Sequence, residues 1–258
     1  PLSGLAATLI GIILSPVSAR LKGLNLGLVT LALVFIGSHF FSNLKFITGG
    51  AGLGRKAAKL TFLGVDLEAG LTFGNLIIEK NDVVYFFSLI LCIFLGIGVK
   101  NISRSKIGRA FSAIRDRDIA AEALGINLFK YKMYAFGISS FYGGIAGSLL
   151  FTLSGGVEPG SFNLLYSITF VAIVIIGGVG TVLGPIFGAF FFTMLPGIIQ
   201  AALHALGIAD SGFILNPAEI ERIVFAFFII FFLIFEPRGL WGIWFRLRNY
   251  FKAWPFSY

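Results

Sequence analysis

The apolar residues of this chain are gathered into runs of about the length that crosses a bilayer. That single pattern restricts the fold more than any motif does. The runs are Gly4–Ser18, Leu24–Phe41, Val83–Val99, Met133–Leu153, Phe162–Gly177, Pro185–Leu206 and Ile220–Phe235. A helix needs about 20 residues to span a hydrocarbon core of about 30 Å. Strands of a membrane barrel would alternate apolar and polar residues over about ten positions, whereas these runs are continuously apolar and longer. The expectation is an all-α bundle of about seven transmembrane helices, forming a single membrane domain over residues 1–258. Composition supports this: 57% of residues are apolar, 12% are charged and the mean hydropathy is +0.93. A soluble domain carries about a quarter charged residues and could not bury so much apolar surface.

The net charge of +8 follows from topology rather than from a nucleic-acid partner, because cytoplasmic loops retain Lys and Arg. Lys100 to Lys132 holds eight bases: Lys100, Arg104, Lys106, Arg109, Arg115, Arg117, Lys130 and Lys132. The tail adds Arg238, Arg246, Arg248 and Lys252, and the first short loop adds Arg20 and Lys22. Ser154–Ser161 carries only Glu158, and Gly207–Glu219 carries Asp210 and Glu219. With seven passes the basic loops share one side, expected to be the cytoplasm, and the acidic loops share the other. Ser42–Asp82 falls outside by this count. It is mixed in charge and includes a Gly-rich run, 48–54, expected to be tight and irregular. Cys92 is the sole cysteine, which excludes an internal disulfide and a CxxC metal site. The chain begins at Pro1, and an N-terminal portion is expected to precede it. Leu2–Ser18 lacks a basic n-region and a cleavage site, so it reads as a span rather than a signal peptide.

Residues 103–131 form the most informative loop. Ala110, Phe111 and Ile114 make one short apolar face and Ile119, Ala123 and Leu124 another, at helical spacing. Asp118 suits the cap of the second helix, Glu122 and Arg115 its polar side, and Gly125 its left-handed C-terminus. Two readings stand side by side on these residues. A helix lying on lipid headgroups would favour bases alone. The alternation Arg115-Asp116-Arg117-Asp118 suits a protein partner.

The segment Arg115-Asp116-Arg117-Asp118-Ile119-Ala120-Ala121-Glu122-Ala123-Leu124-Gly125-Ile126-Asn127 resembles the cytoplasmic-loop signature of permease subunits of bacterial ABC importers for branched-chain amino acids. The resemblance extends through Tyr131–Phe136, Gly143–Gly147, Gly177–Pro185 and Glu236–Leu240. It covers about residues 20–245 and favours the M-type permease over its H-type partner. It implies that this loop docks in a cleft of an ATPase, through Arg115, Asp116, Asp118, Ala121, Glu122 and Gly125. It implies further partners: an H-type permease, two cytoplasmic ATPases that hold ATP and magnesium, and an external binding protein. Leucine, isoleucine and valine are the implied cargo, and the bacterial inner membrane the implied location. Urea or short-amide permeases of the same type remain an alternative.

Elsewhere the chemistry is sparse. Gly177–Gly188 has neither a phosphate-binding GxxxxGK[ST] nor Rossmann spacing. It reads as a tight turn around Gly178 and Gly180, with Pro185 at a helix N-terminus. Gly143 with Gly147, and Gly184 with Gly188, are spaced as helix-packing faces. Pro196 should kink or interrupt its span. The spans hold almost no ionisable group; His39, Gln200 and His204 lie near external ends. An ion-coupled transporter would need an intramembrane coupling residue, and a membrane hydrolase a nucleophile with its base or metal ligands. Neither pattern is present. The reading is a translocation subunit that is not an enzyme and binds no cofactor or metal.

Overall fold

The computed structural model describes residues 2–19, 21, 24–50, 54–57, 61–62, 65–66, 71–73, 76–78, 80–205, 217–236 and 238–253. Arg20, Lys22, Asp210, Pro237 and the centre of the 48–54 run lie outside the described residues. The chain divides into two compact units, Pro1–Leu164 and Leu165–Tyr258.

The first unit begins with α1 (Leu2–Ala19), α2 (Leu24–Asn43) and a short α3 (Lys45–Thr48). Five brief strands follow: β1 (Arg55–Lys56), β2 (Thr61–Phe62), β3 (Val65–Asp66), β4 (Leu71–Phe73) and β5 (Leu76–Ile78). Then come α4 (Lys80–Arg104), α5 (Lys106–Asp116), α6 (Asp118–Ala123), α7 (Leu128–Leu153) and β6 (Gly156–Val157), closed by a 3₁₀ turn at Pro159–Ser161. The second unit contains α8 (Leu164–Gly177), α9 (Gly184–Ala205), α10 (Pro217–Phe235) and α11 (Gly239–Ala253). Each of the seven apolar runs therefore falls on a helix. Among the described residues, Asp82–Arg104, Leu128–Leu153 and Gly184–Ala202 are long and apolar enough to cross a membrane. Leu2–Val17, Gly27–Asn43, Leu164–Gly177 and Arg222–Phe232 are shorter apolar helices. The helix α9 continues through Pro196 without a break in assignment.

The distribution of side chains is that of a protein whose solvent is lipid. The largest fully buried residues are Ile176 and Ser15, whereas Ile13, Phe35, Phe94 and Phe235 stand more than half exposed on their helices. In water those rings would cost about 25 cal/mol for each Å² of apolar surface left wet; in hydrocarbon they cost nothing. Small residues such as Ser15, Ala19, Ala110, Ala121 and Ala172 share the interior with a few large ones. Helices in lipid gain little from apolar burial and associate where small side chains let backbones approach.

The α1–α7 pair shows this directly. A Cβ on Gly144 would lie 2.6 Å from both the Ala7 Cβ and the Ser3 carbonyl oxygen, and one on Gly4 would lie 2.9 Å from the Phe141 ring. Gly137 faces Ile12, so residue number rises along α1 as it falls along α7, and the helices are antiparallel. Within the chain Gly143 and Gly147 meet nothing within 4 Å. The contact stripe uses Gly137 and Gly144, seven residues or about two turns apart. Gly144→Leu should consequently cost about 1–3 kcal/mol through overpacking, while Gly143→Leu should stay within about 0.5 kcal/mol. Thermal unfolding of the detergent-solubilised variants measures the difference, and equal melting temperatures would refute this packing.

Loop pairings in the first unit sort as alternating passes require. The Lys132 ammonium donates to the Leu21 carbonyl at 3.0 Å, joining the first loop to the start of α7. At the other end β1 pairs antiparallel with β6, Arg55 opposite Val157 and Lys56 opposite Gly156. The residues that follow the Gly-rich run thus contribute a strand to the Ser154–Ser161 loop.

Candidate functional site

The loop between α4 and α7 is a packed elbow of two helices. Ser105 ends α4 and caps α5: its backbone is extended, and its hydroxyl accepts from the Gly108 amide at 3.4 Å while donating to the Ile102 carbonyl at 2.6 Å. Gly108 is buried against the carbonyls of Ile102 and Ser103, so α5 turns back tightly on the end of α4. Its Phe111 ring meets the Tyr131 ring edge-on at a centroid distance of 6.4 Å, tying α5 to the start of α7. Arg117 then leaves helical geometry, at φ −154° and ψ 105°, which separates α5 from α6.

The expectation that Asp118 caps α6 is corrected by one position. Arg117 occupies the cap and offers no side-chain bond, while Asp118 is the first helical residue and its carboxylate accepts from the Ile119 amide at 2.9 Å. A carboxylate in the first turn still faces the positive end of the helix dipole. The C-terminus matches the expectation. Gly125 has φ +83°, the Ile126 amide donates to the Ala121 carbonyl at 3.0 Å and the Gly125 amide to the Glu122 carbonyl at 2.9 Å. This pair of bonds is the Schellman closure, and the left-handed residue it requires is a glycine.

The six sequence-selected residues divide into three roles. Ala121 is 1% exposed and sits inside the elbow, where it holds α6 in place instead of presenting a contact. Arg115 and Asp116 pair with each other at 3.0 Å on the exposed side. Glu122 and Gly125 are exposed, and Asp118 sits in the first turn between them and Arg115. Two residues outside that set dominate the surface: Ile119 is 75% exposed and Leu124 81% exposed. Their apolar spacing was the signal for them, although on spacing alone the same pair could have been a buried face.

The second unit closes around glycines. Gly178 has φ +123° and Gly180 φ +81°, so the turn reading of Gly177–Gly184 holds. The Thr181 hydroxyl donates to the Gly178 carbonyl and accepts from the Gly184 amide, both at 3.0 Å, which starts α9 with Pro185 in its first turn. Gly188 lies against Gly177 and the Ile173 carbonyl, the close approach expected for the Gly184–Gly188 face. A Cβ on Gly178 would lie 2.6 Å from the Arg238 carbonyl oxygen, so the α8–α9 turn and the α10–α11 turn are stacked on each other. Among the described residues no group of three His, Cys, Asp or Glu could hold a metal ion.

The profile of a family described as the branched-chain amino acid transport system, permease component, matches residues 1–233. The chain belongs to that family. Family and helical architecture together make it a multi-pass membrane permease. It is 33% identical over 193 residues to the high-affinity branched-chain amino acid transport system permease protein LivM of Salmonella typhimurium, and equally to that of Escherichia coli. Each match covers 70% of this chain and 45% of the relative, so the chain spans about half the length of these curated permeases. It is also 28% identical over 110 residues to the ribose import permease protein RbsC of Haemophilus influenzae, covering 40% of this chain and 32% of that permease. No solved structure matches it.

Proposed function

We propose that the chain is the M-type membrane subunit of an ATP-driven importer that admits leucine, isoleucine and valine to a bacterial cell across its inner membrane. An H-type permease, two ATPases that bind ATP and magnesium, and an external binding protein complete the assembly. The observation that most supports this reading is the elbow. The elbow carries Ile119, Glu122 and Leu124 outward, while Gly108 and the Phe111–Tyr131 pair anchor its α5 to α4 and α7 and Ala121 of α6 is buried. An apolar pair ringed by mixed charge has the composition of a protein-docking patch. Because α5 and α6 are held to helices on both sides, a push on them would reach those helices as a displacement. Nucleotide-driven exchange between outward- and inward-open states is then a matter of differential affinity of the ATPases for the two elbow positions.

The orientation is part of the proposal: the elbow, the 178–183 turn and α11 face the cytoplasm. In a Cys92→Ser background, Ser112→Cys in α5 should react with an impermeant maleimide only from inside, and Ser161→Cys only from outside. Labelling of both from one side overturns it. For the activity itself, the reconstituted assembly should hydrolyse ATP several-fold faster when leucine-loaded binding protein is present. Stimulation by urea instead would replace the substrate. Uptake driven by a proton gradient without any ATPase would replace the whole reading.

A further inference from the structure

We infer that α11 is an interfacial helix that binds an anionic phospholipid, with an acyl chain in the groove between α11 and α9 and the phosphate on Arg248. Its 15 residues span about 22 Å at 1.5 Å per residue, short of a bilayer core of about 30 Å. It also carries Arg246, Arg248 and Lys252, so it does not cross. Ile243, Trp244, Leu247, Tyr250 and Phe251 recur at i, i+1, i+4, i+7 and i+8 and form one exposed face; Arg246 and Arg248 flank it, and Phe245 and Asn249 lie on the opposite side. An apolar aromatic face flanked by bases is the composition of helices that lie in the headgroup region.

Two observations select an anionic lipid over a protein partner. The first is charge. α11 has no acidic residue, in contrast to the elbow, where acids and bases alternate as a protein surface requires. Arg246 is paired with Glu236, whose carboxylate is folded under the helix, whereas among the described residues Arg248 has no ion-pair partner. The second is shape. Phe187, Phe190 and Met194 of α9 and Ile243, Trp244 and Leu247 of α11 line an open groove of about 520 Å³ with no polar side chain. A second groove of about 340 Å³ joins Trp244, Leu247 and Phe251 to Arg248. The volumes fall in the range of about 300–1,000 Å³ that holds small ligands. The apolar trough leads along α11 to the Arg248 guanidinium, the arrangement that an acyl chain ending in a phosphate would fill. Cations of this kind are drawn to the anionic cytoplasmic leaflet; the choice of leaflet rests on the orientation proposed above, and lipid binding does not.

The test uses the full chain purified in mild detergent and offered dioleoylphosphatidylglycerol or dioleoylphosphatidylcholine, with retained lipid counted by native mass spectrometry. Phosphatidylglycerol should be retained at least fivefold over phosphatidylcholine, less so as salt rises. Arg248→Gln should bring the ratio within twofold, and Arg248→Lys should largely restore it. In nanodiscs, with Trp241→Phe and Trp254→Phe leaving Trp244 as the sole tryptophan, acyl-brominated phosphatidylglycerol should quench its fluorescence by at least half. Equal retention of the two lipids, an unchanged ratio in Arg248→Gln, or an unquenched Trp244 overturns the proposal. So does quenching that disappears once the ATPases are bound, since a protein would then own this face. Neither readout involves nucleotide or amino acid, so failure of the lipid site leaves the importer standing, and failure of the importer leaves the lipid site.

Discussion

Glu122→Arg should release the ATPase from the permease while leaving the permease folded. Residues 115–122 hold two bases and three acids, Arg115 and Arg117 against Asp116, Asp118 and Glu122; the substitution inverts this to three bases and two acids. Whatever cation the ATPase sets opposite Glu122 then meets a like charge in a contact that excludes water. Reversals of this kind cost about 2–5 kcal/mol, which weakens docking by roughly 30- to 4,000-fold. The fold should be indifferent, because Glu122 is exposed, arginine is as good a helix former as glutamate, and the Schellman bonds use the main chain. Leu124→Ala is the apolar counterpart. It removes a side chain 81% exposed in the free subunit and should weaken docking by about 1–3 kcal/mol with no effect on charge or salt dependence. Pull-down of the ATPase by each variant, beside ATP hydrolysis of the reconstituted assembly, measures both. If Glu122→Arg retains full assembly and full stimulation by the binding protein, the elbow is not the coupling element.

The elbow was legible in the residues because its determinants are local. An acid at a helix start and a glycine where the run ends each act within four positions. The apolar runs were legible for the same reason, since lipid imposes one composition over twenty consecutive residues. What escaped has a different physical origin. The β1–β6 pairing joins Arg55 to Val157, a hundred residues apart, through two-residue strands that leave no periodicity to find. The α1–α7 glycine stripe was not found because small-xxx-small spacing reports that helices can approach, not from which direction. Gly4 with Gly11, and Gly137 with Gly144, repeat at seven residues, which keeps a stripe aligned over two turns. In α11 the signal was present, with Ile243, Trp244, Leu247 and Phe251 at helical spacing, but its arginines read first as a marker of sidedness. A cation on an apolar helix reports both which side it faces and what it lies on, and charge counting captures only the first.

Gly239→Ala should strongly destabilise the second unit, because it combines a left-handed backbone with a clash against main-chain atoms. Two glycines with nearly the same claim to left-handed geometry, Gly125 at φ +83° and Gly239 at φ +61°, separate the two components of such a change. At Gly125 an added Cβ meets nothing within 4 Å, so alanine there incurs only the left-handed penalty of about 1–2 kcal/mol, and locally at the end of α6. At Gly239 the same atom would lie 2.5 Å from the Ile176 carbonyl oxygen, 2.6 Å from the Gly178 amide and 2.8 Å from the Ile175 carbonyl oxygen. All three are backbone atoms of the helix end and turn that Gly177 and Gly188 already hold at close approach, so no rotamer change relieves the clash. Overpacking adds about 1–3 kcal/mol, for a total of about 2–5 kcal/mol. Displacement of the 238–239 turn from Gly178 would also shift the start of α11 and separate Arg246 from Glu236. The measurement is apparent melting temperature of the purified chain in one detergent: Gly239→Ala should lie several degrees below wild type and Gly125→Ala close to it. Near-equal losses would mean that φ alone governs both sites, and that the stacked turns at Gly178 and Gly239 do not hold the unit together.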